Sequence, residues 1–381
     1  MSPTYDVIII GGGMIGLSTA YHLARRGART LLLEAGELGG GTSAACSGRA
    51  QTIEGHLDPL NLYLVRAGLE RLSTLEEELG HAFSWRMVGY FCLIPSPHLW
   101  DTWTQRARIL SENGIPTAMV DREELQRAEP LLNTAGLLGA AYGQEGLLNP
   151  FHFCWAYAQA ARRLGADIRA GTPVVGMKAA GGRVVSVETP AERFSAGRVM
   201  VAAGAWTPKL LAMIGETVPI HFTHAEAFIT ERVPMALRNT IGMADFYEQI
   251  HGKQRAVSVG FSVEPDGALL VTEAVTRTDT IRRGCSVWGV AGMAAHLLAL
   301  YPGLHRVRVL RGWGVPTAFT PDDEPVVGPM PGWENLFVYG ACLQTISTIP
   351  VLSDWVAGMM LGEEPPMDLS LYSPARFARA A

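Results

Sequence analysis

The stretch that most constrains this chain lies at its start. Val7 to Ile10 is an apolar, β-branched run, as a strand buried on both faces requires. It leads directly into Gly11-x-Gly13-x-x-Gly16. In that spacing the first glycine makes the tight turn, the second admits a pyrophosphate to the backbone, and the third lets the next helix pack close. The helix reads 17–26, with Leu17, Ala20, Leu23 and Ala24 on one face and Gly27 as its stop. A second strand, 29–33, ends in Glu34. An acid about 20 residues past such glycines accepts hydrogen bonds from ribose hydroxyls, and the free amides at the helix start hold phosphate. Glycines alone would be weak evidence. Together with both strands, the helix and the acid they predict a dinucleotide site; the alternative is a glycine-rich turn that binds nothing. Glu34 in place of a basic residue argues against a 2′-phosphate, and so against NADP.

The small-residue loop 36–49 is too rich in glycine for a helix or strand interior, and such a loop lets a cofactor lie against backbone amides. Periodicity then predicts helices at 59–80, 100–113, 150–164, 286–300 and 350–361, and a capped helix start at Asp121. Strands are predicted at 85–94, 139–148, 167–177, 183–189, 198–201, 224–230, 255–262, 268–273, 307–313 and 336–339. The alternation argues for an α/β, Rossmann-like domain, and the strand-rich middle for an inserted antiparallel β-sheet. At 381 residues two or three domains are expected. A net charge of −5 without a Lys/Arg-rich run excludes an electrostatic footprint for nucleic acid. No apolar stretch is long enough for a transmembrane segment, and the N-terminus lacks the pattern of a signal peptide. The five cysteines contain no C-x-x-C pair, so a disulfide framework, a metal site or an iron–sulfur cluster is not expected, and the plain expectation is a reduced, cytoplasmic protein.

Further marks run the length of the chain: the loop 43–49; Gly146-Leu147-Leu148-Asn149-Pro150 before a helix; Val201-Ala202-Ala203-Gly204-Ala205-Trp206; Trp313 followed by Thr320-Pro321-Asp322-Asp323-Glu324-Pro325; and an ending at 368–377. With the Gly11–Glu34 unit, these resemble the flavin-dependent D-amino-acid oxidase family, which includes glycine and sarcosine oxidases and the catalytic subunits of opine oxidases and hydrogen cyanide synthase. The resemblance implies an FAD-binding domain assembled from 1–84, 146–218 and 305–381, and a substrate domain from 85–145 and 219–304 whose sheet covers one face of the flavin. It implies an enzyme that oxidises the C–N bond of an amino acid or N-substituted amino acid by hydride transfer to FAD. The likeness to the subunit-type members further implies an opine-like small-molecule substrate and companion subunits carrying further redox cofactors. The rival readings are a single-chain glycine, sarcosine or D-amino-acid oxidase, and a flavin-bearing relay or scaffold subunit without turnover.

Carried across position by position, the resemblance puts Gly11, Gly13, Met14, Ile15 and Gly16 under the pyrophosphate and Glu34 and Ala35 at the ribose. It runs Thr42, Ser43, Ser47, Gly48 and Arg49 along the pyrophosphate and flavin. Val174 or Val175 presents backbone to the adenine, and Ala203, Gly204 and Trp206 pack beside the cofactor. Gly340, Thr345 and Thr348 approach the pyrimidine end of the flavin. Candidate substrate-side groups are Glu226, Tyr247 and His251, with His56 and His224 near the expected walls; 322–324 is expected to be a turn of solvated charges. Three departures matter. Many members carry Gly-His-Gly just before the last helix, where the segment from Gly340 to Thr348 has fewer glycines and more hydroxyls. Many members carry an Arg where Thr317 stands, which leaves Arg49 and Arg255 as candidate partners for a substrate carboxylate and Glu226 as a candidate for a guanidinium. Members that attach FAD covalently carry a Cys where Val315 stands, so FAD is expected to be non-covalent.

Overall fold

A computed structural model gives the fold over residues 4–246, 254–278 and 280–377. The opening unit forms as its residues require: β1 (Thr4–Ile10), α1 (Met14–Arg25) and β2 (Thr30–Leu33). Val7, Ile8 and Ile9 have no exposed surface, as expected of a strand with both faces covered. The glycine loop holds a short helix, α2 (Thr42–Ala45), and leads to β3 (Arg49–Ala50). α3 (Pro59–Leu79) is capped by Asp58. Next come β4 (Arg86–Ile94), α4 (Pro97–Glu112), β5 (Ala118–Asp121), α5 (Arg122–Ala128), whose capping box is formed by Asp121 and Glu124, and β6 (Gly139–Leu147). α6 (Pro150–Arg163) carries Asn149 as its cap. It is followed by β7 (Asp167–Arg169), β8 (Gly176–Ala180), β9 (Arg183–Glu188), β10 (Arg193–Val201) and α7 (Thr207–Leu211). The strand-rich stretch is β11 (His221–Arg232), β12 (Thr240–Met243), β13 (Arg255–Val263) and β14 (Ala268–Arg277). α8 (Val287–Leu300), β15 (Val309–Phe319), β16 (Val326–Pro329), β17 (Leu336–Gly340) and α9 (Thr345–Met359) complete the order.

Two sheets result. The first runs β16-β17-β10-β1-β2-β7, parallel except at β16–β17, with the β8–β9 hairpin extending from β10. α1, α3, α6 and α9 bury Leu17, Leu64, Phe153 and Ile349 in a shared core against one of its faces. The second sheet runs β15-β11-β14-β13-β12-β4-β6-β3, with β5 on β6. β3 and β15, which fall within 1–84 and 305–381, hydrogen-bond into this sheet. α8 covers one of its faces through Met293 and Leu297, which meet Phe228, Val271 and Phe261. The opposite face is left for the site.

The structure differs from the sequence expectation in several places. β5, β12 and β16 have no counterpart among the predicted strands, β15 runs on past 313, and there are four further differences. The sheet is mixed rather than purely antiparallel, because β12 runs parallel to β4. The span 167–177 is not one strand: Gly171, at φ +63, and Pro173 break it. β10 begins at Arg193, where it pairs with β9 before joining the parallel sheet. The last helix begins at Thr345 and carries Pro350 inside it. Reading that proline as a helix start placed the start too late, since tertiary contacts hold the preceding turn: Ser347 Oγ and Gln344 Nε2 both donate to the Gln51 carbonyl.

Candidate active site

A cavity of about 980 Å³ runs from the β1–α1 turn to the uncovered face of the second sheet. Its first end is built from glycines that leave the backbone bare, and at Gly11 a side chain is barred outright. A Cβ on Gly11, at φ +117, would lie 2.4 Å from the Ala202 carbonyl oxygen, and one on Gly13 would lie 2.9 Å from Ser43 Oγ. The Ser43 hydroxyl accepts from the Met14 amide at 3.0 Å, which fixes the glycine loop on the helix start. Glu34 accepts from the amides of Gly12 and Gly36, each at 2.7 Å, so its carboxylate is locked at the mouth of the turn. This cradle fits an adenine dinucleotide: for phosphate, a helix start that, beyond the Met14 amide, its N-cap Gly13 leaves without a side-chain cap, and for a ribose, a fixed acid.

Most of the sequence-predicted cofactor residues line this one cavity. They are Gly11, Gly13, Met14, Ile15, Glu34 and Ala35; Thr42, Ser43, Ser47 and Arg49; Val174, Ala203, Gly204 and Trp206; and Gly340 and Thr345. Four lie elsewhere. Gly16 packs α1 on the turn, where its Cβ would meet the Gly11 carbonyl. Gly48, at φ +69, lies against the Leu148 carbonyl just past β6. Val175 is exposed and donates to Glu188. Thr348 is buried, its hydroxyl bonded back to the Gln344 carbonyl.

The second end is roofed by small residues of the sheet, among them Ala225 and Ala227 of β11, Gly260 of β13 and Val315 and Thr317 of β15. Two hydrogen bonds tie this roof to the cofactor loop: Thr42 Oγ1 donates to the Pro316 carbonyl at 2.5 Å, and Trp313 Nε1 to the Ala45 carbonyl at 2.9 Å. Cys46 and Cys342 also line the cavity, and burial pushes their thiols up to about 11 and about 12.

The substrate-side candidates sort differently. The Glu226 carboxylate is committed to the start of α8, accepting from the Ser286 amide at 2.7 Å and the Ser286 hydroxyl at 2.9 Å. It is 3% exposed, which leaves no room for a guanidinium. Tyr247 and His251 lie outside the described residues. His224 is buried with Nε2 2.8 Å from the Gly284 carbonyl, and His56 pairs with Glu324 at 3.1 Å; neither lines the cavity. Glu324 is therefore not a solvated turn charge, while Asp322 is held by Arg376 at 2.8 Å. Arg255 stacks over Trp288 and does not reach the cavity wall.

Arg49 does line the cavity, but as part of a buried cluster. Its Nε and Nη2 form a fork on Glu145 at 2.9 and 3.0 Å, and Nη2 also meets Glu54 at 2.9 Å. Tyr90 donates to the other Glu54 oxygen at 2.6 Å and lies under the guanidinium. Burial raises the pKa of Glu145, while Arg49 draws it down. One guanidinium between two carboxylates carries no surplus positive charge for a substrate anion.

Among the wall residues that sequence reasoning missed are the charged Glu54, Lys209, Glu273 and Arg283. Glu54 follows the glycine loop closely enough to have been suspected. Arg283 is exposed, and its guanidinium has no hydrogen-bond or ion-pair partner among the described residues. No group of His, Cys, Asp and Glu suited to a metal occurs among the described residues, and no helix there is long and apolar enough to cross a membrane.

The decisive comparison is with families. A model described as FAD dependent oxidoreductase (DAO) matches residues 6–359. The chain belongs to this family. FAD is thus the dinucleotide that the cradle fits, and the α/β fold with mixed sheets is the family's own. Among its relatives in the family is 4-methylaminobutanoate oxidase (formaldehyde-forming) of Paenarthrobacter nicotinovorans, 29% identical over 99% of this chain and 46% of the relative. Another is hydrogen cyanide synthase subunit HcnC of Pseudomonas aeruginosa, 24% identical over 99% of this chain and 97% of the relative. The chain spans less than half the length of several curated relatives it matches. The crystal structure of L-proline dehydrogenase from P. horikoshii superposes with a TM-score of 0.89 at 22% identity, covering 100% of this chain and 99% of that one.

Proposed function

We propose that this chain is the catalytic part of an FAD-dependent amine oxidoreductase that acts on an amino acid whose nitrogen is substituted. The observation that carries the reading is the continuity of the cavity: one wall is a dinucleotide cradle and the opposite wall is a roof of small residues. A relay subunit has no need of such a roofed space. The relatives' names, a methylaminobutanoate oxidase and a hydrogen cyanide synthase subunit, both fit chemistry at carbon next to nitrogen. Bound FAD would supply the hydride acceptor.

The chain's own residues do the rest. The Gly13 backbone and the Ser43-anchored start of α1 hold the pyrophosphate, Glu34 the ribose and Val174 the adenine side. Gly340 and Thr345, at the start of α9, hold the far end. Ala225, Ala227 and Gly260 exclude water above the reacting carbon, which strengthens each polar contact inside. Arg283 takes the substrate carboxylate, the role that Thr317 cannot fill with one neutral hydroxyl and that Arg49 cannot fill with its charge already balanced. The match to a subunit-type relative over nearly its whole length favours companion chains, which would carry the electrons onward.

The test is kcat/KM for glycine, D-alanine, sarcosine, L-proline and 4-methylaminobutanoate. It is measured on protein purified from its native cells, whose mass reports any companion chain. A secondary amine is expected to lead the series, on a complex larger than multiples of this chain. A lead for glycine or D-alanine on a pure homo-oligomer would instead favour the single-chain oxidase.

A further inference from the structure

The cavity wall holds a carboxylate that no hydrogen bond or ion pair among the described residues holds. Glu273 lies on β14, and the register shows why it faces the cavity. On β11, Glu226 pairs with Ala274 and Ala227 with Thr272, so Glu273 is the extra residue of a bulge. Val271 and Ala274 both face the core beneath α8, while Thr272 and Glu273 both line the cavity. A bulge of this kind re-aims a side chain that strict alternation would have turned away. Glu273 has no hydrogen-bond or ion-pair partner among the described residues. It keeps some contact with the open volume, yet burial, reinforced by Glu54 and opposed by Arg49, pushes its pKa up to about 7.

Glu273 is half-buried on the open cavity and would be sealed from water once the cavity is filled; a carboxylate buried there without a partner is costly unless a proton or a cation joins it. The reacting amine is a poor choice of cation. A carboxylate beside that nitrogen would stabilise its protonated form, and a protonated amine has no lone pair with which to assist loss of hydride. The cation suited to this wall is therefore one that does not react. We propose that Glu273 determines specificity by binding a guanidinium or ammonium group that the substrate carries apart from its oxidised nitrogen. This rests on the reading of the cavity as an amine-oxidising site and narrows its substrate to cationic amino-acid derivatives. It also moves the cation-binding role from Glu226, which serves Ser286, to the next strand of the same sheet.

The test uses two probes of nearly the same shape, the cationic 4-guanidinobutanoate and the neutral-headed 4-ureidobutanoate, in which a carbonyl oxygen replaces one amino group. Their binding to the FAD-loaded full chain is measured by calorimetry at about pH 8.5, where a group of pKa near 7 is ionised. The guanidino probe is expected to bind at least about tenfold more tightly. Glu273→Gln should weaken it until the ratio approaches one. Equal affinities in the wild type, binding of neither probe, or a ratio that survives Glu273→Gln would each overturn the proposal.

If Glu273→Gln loses its flavin, the wild type at about pH 5.5 takes its place. Protonation should then abolish the preference, and a preference unchanged between the two pH values would overturn the proposal. The charged groups that bear on Glu273 are Arg49 and Glu54, with Glu145 and Tyr90 behind them. On the flanking strands, Glu226 is turned to Ser286, and β13 presents the uncharged Ser258 and Val259. Flavin reduction by any of sarcosine, L-proline and an N-substituted arginine in the same preparation reports the amine-oxidation reading separately, so the two can fail independently.

Discussion

Glu34 and Glu273 are both carboxylates at the end or middle of a strand, and they differ in how they are held. Glu34 is fixed by two backbone amides at 2.7 Å, which aim it before any ligand arrives. Glu34→Ala should weaken FAD binding by about 1.5–3 kcal/mol, the worth of hydrogen bonds to a charged group. A titration of the apoprotein by flavin fluorescence measures it, and an unchanged affinity would remove Glu34 from the site. Glu34 was legible because a fixed spacing from the glycines announces it. Glu273 was not, because a bulge breaks the two-residue period on which any strand reading depends. Glu226 does line the cavity, as its place on a roof strand suggested, but its carboxylate is bonded to Ser286, which the strand pattern alone does not reveal. The two cavity cysteines allow a second prediction. Their thiols are pushed up by burial, and Val315 stands where covalent members carry their cysteine, so neither route to a flavin thioether is favoured. Acid precipitation should release the flavin into the supernatant; a coloured pellet would count against this.

Among the elements, α9 carries the most strain-sensitive contact. It crosses α3 so closely that a Cβ on Gly68 would lie 1.7 Å from the Ser347 carbonyl oxygen. Ser347 and Gln344 in turn hold the Gln51 carbonyl next to Arg49 and Glu54. On helix propensity alone Gly68→Ala would stabilise by about 1 kcal/mol. The contact is with backbone, which cannot rotate away, so a net loss of about 2–3 kcal/mol is expected, with weakened flavin binding. Chemical denaturation measures this, and a variant more stable than the wild type would show that the two helices have slack. No sequence signal foretold the crossing. A glycine within a helical period reads as a weak residue until its neighbour is known. The helix start at Thr345 was hidden likewise, since Pro350 marks a start in an isolated helix but not in one whose first turn is held by Gln51.

At the scale of the molecule, the sequence made the cofactor half far more legible than the substrate half. Strand, glycines, helix and acid form a local code, contained in Thr4–Glu34, and the parallel order around β1 follows from it. The second sheet draws its strands from β3 to β15, and its cavity face depends on register, bulges and one parallel pair that periodicity does not encode. Its consequence is nevertheless simple. The loop bearing Thr42 and Ala45 is bonded to β15, so the cradle and the roof enclose one volume. That enclosure is the basis for proposing amine oxidation for this chain, and anaerobic reduction of its bound flavin tests it most directly. The purified protein, loaded with FAD and kept free of oxygen, is mixed with sarcosine, L-proline or an N-substituted arginine. The visible flavin absorbance is predicted to bleach with at least one of them in a single turnover. A flavin that stays oxidised with every amine, yet bleaches with a hydroxy compound such as α-glycerophosphate, would contradict the account.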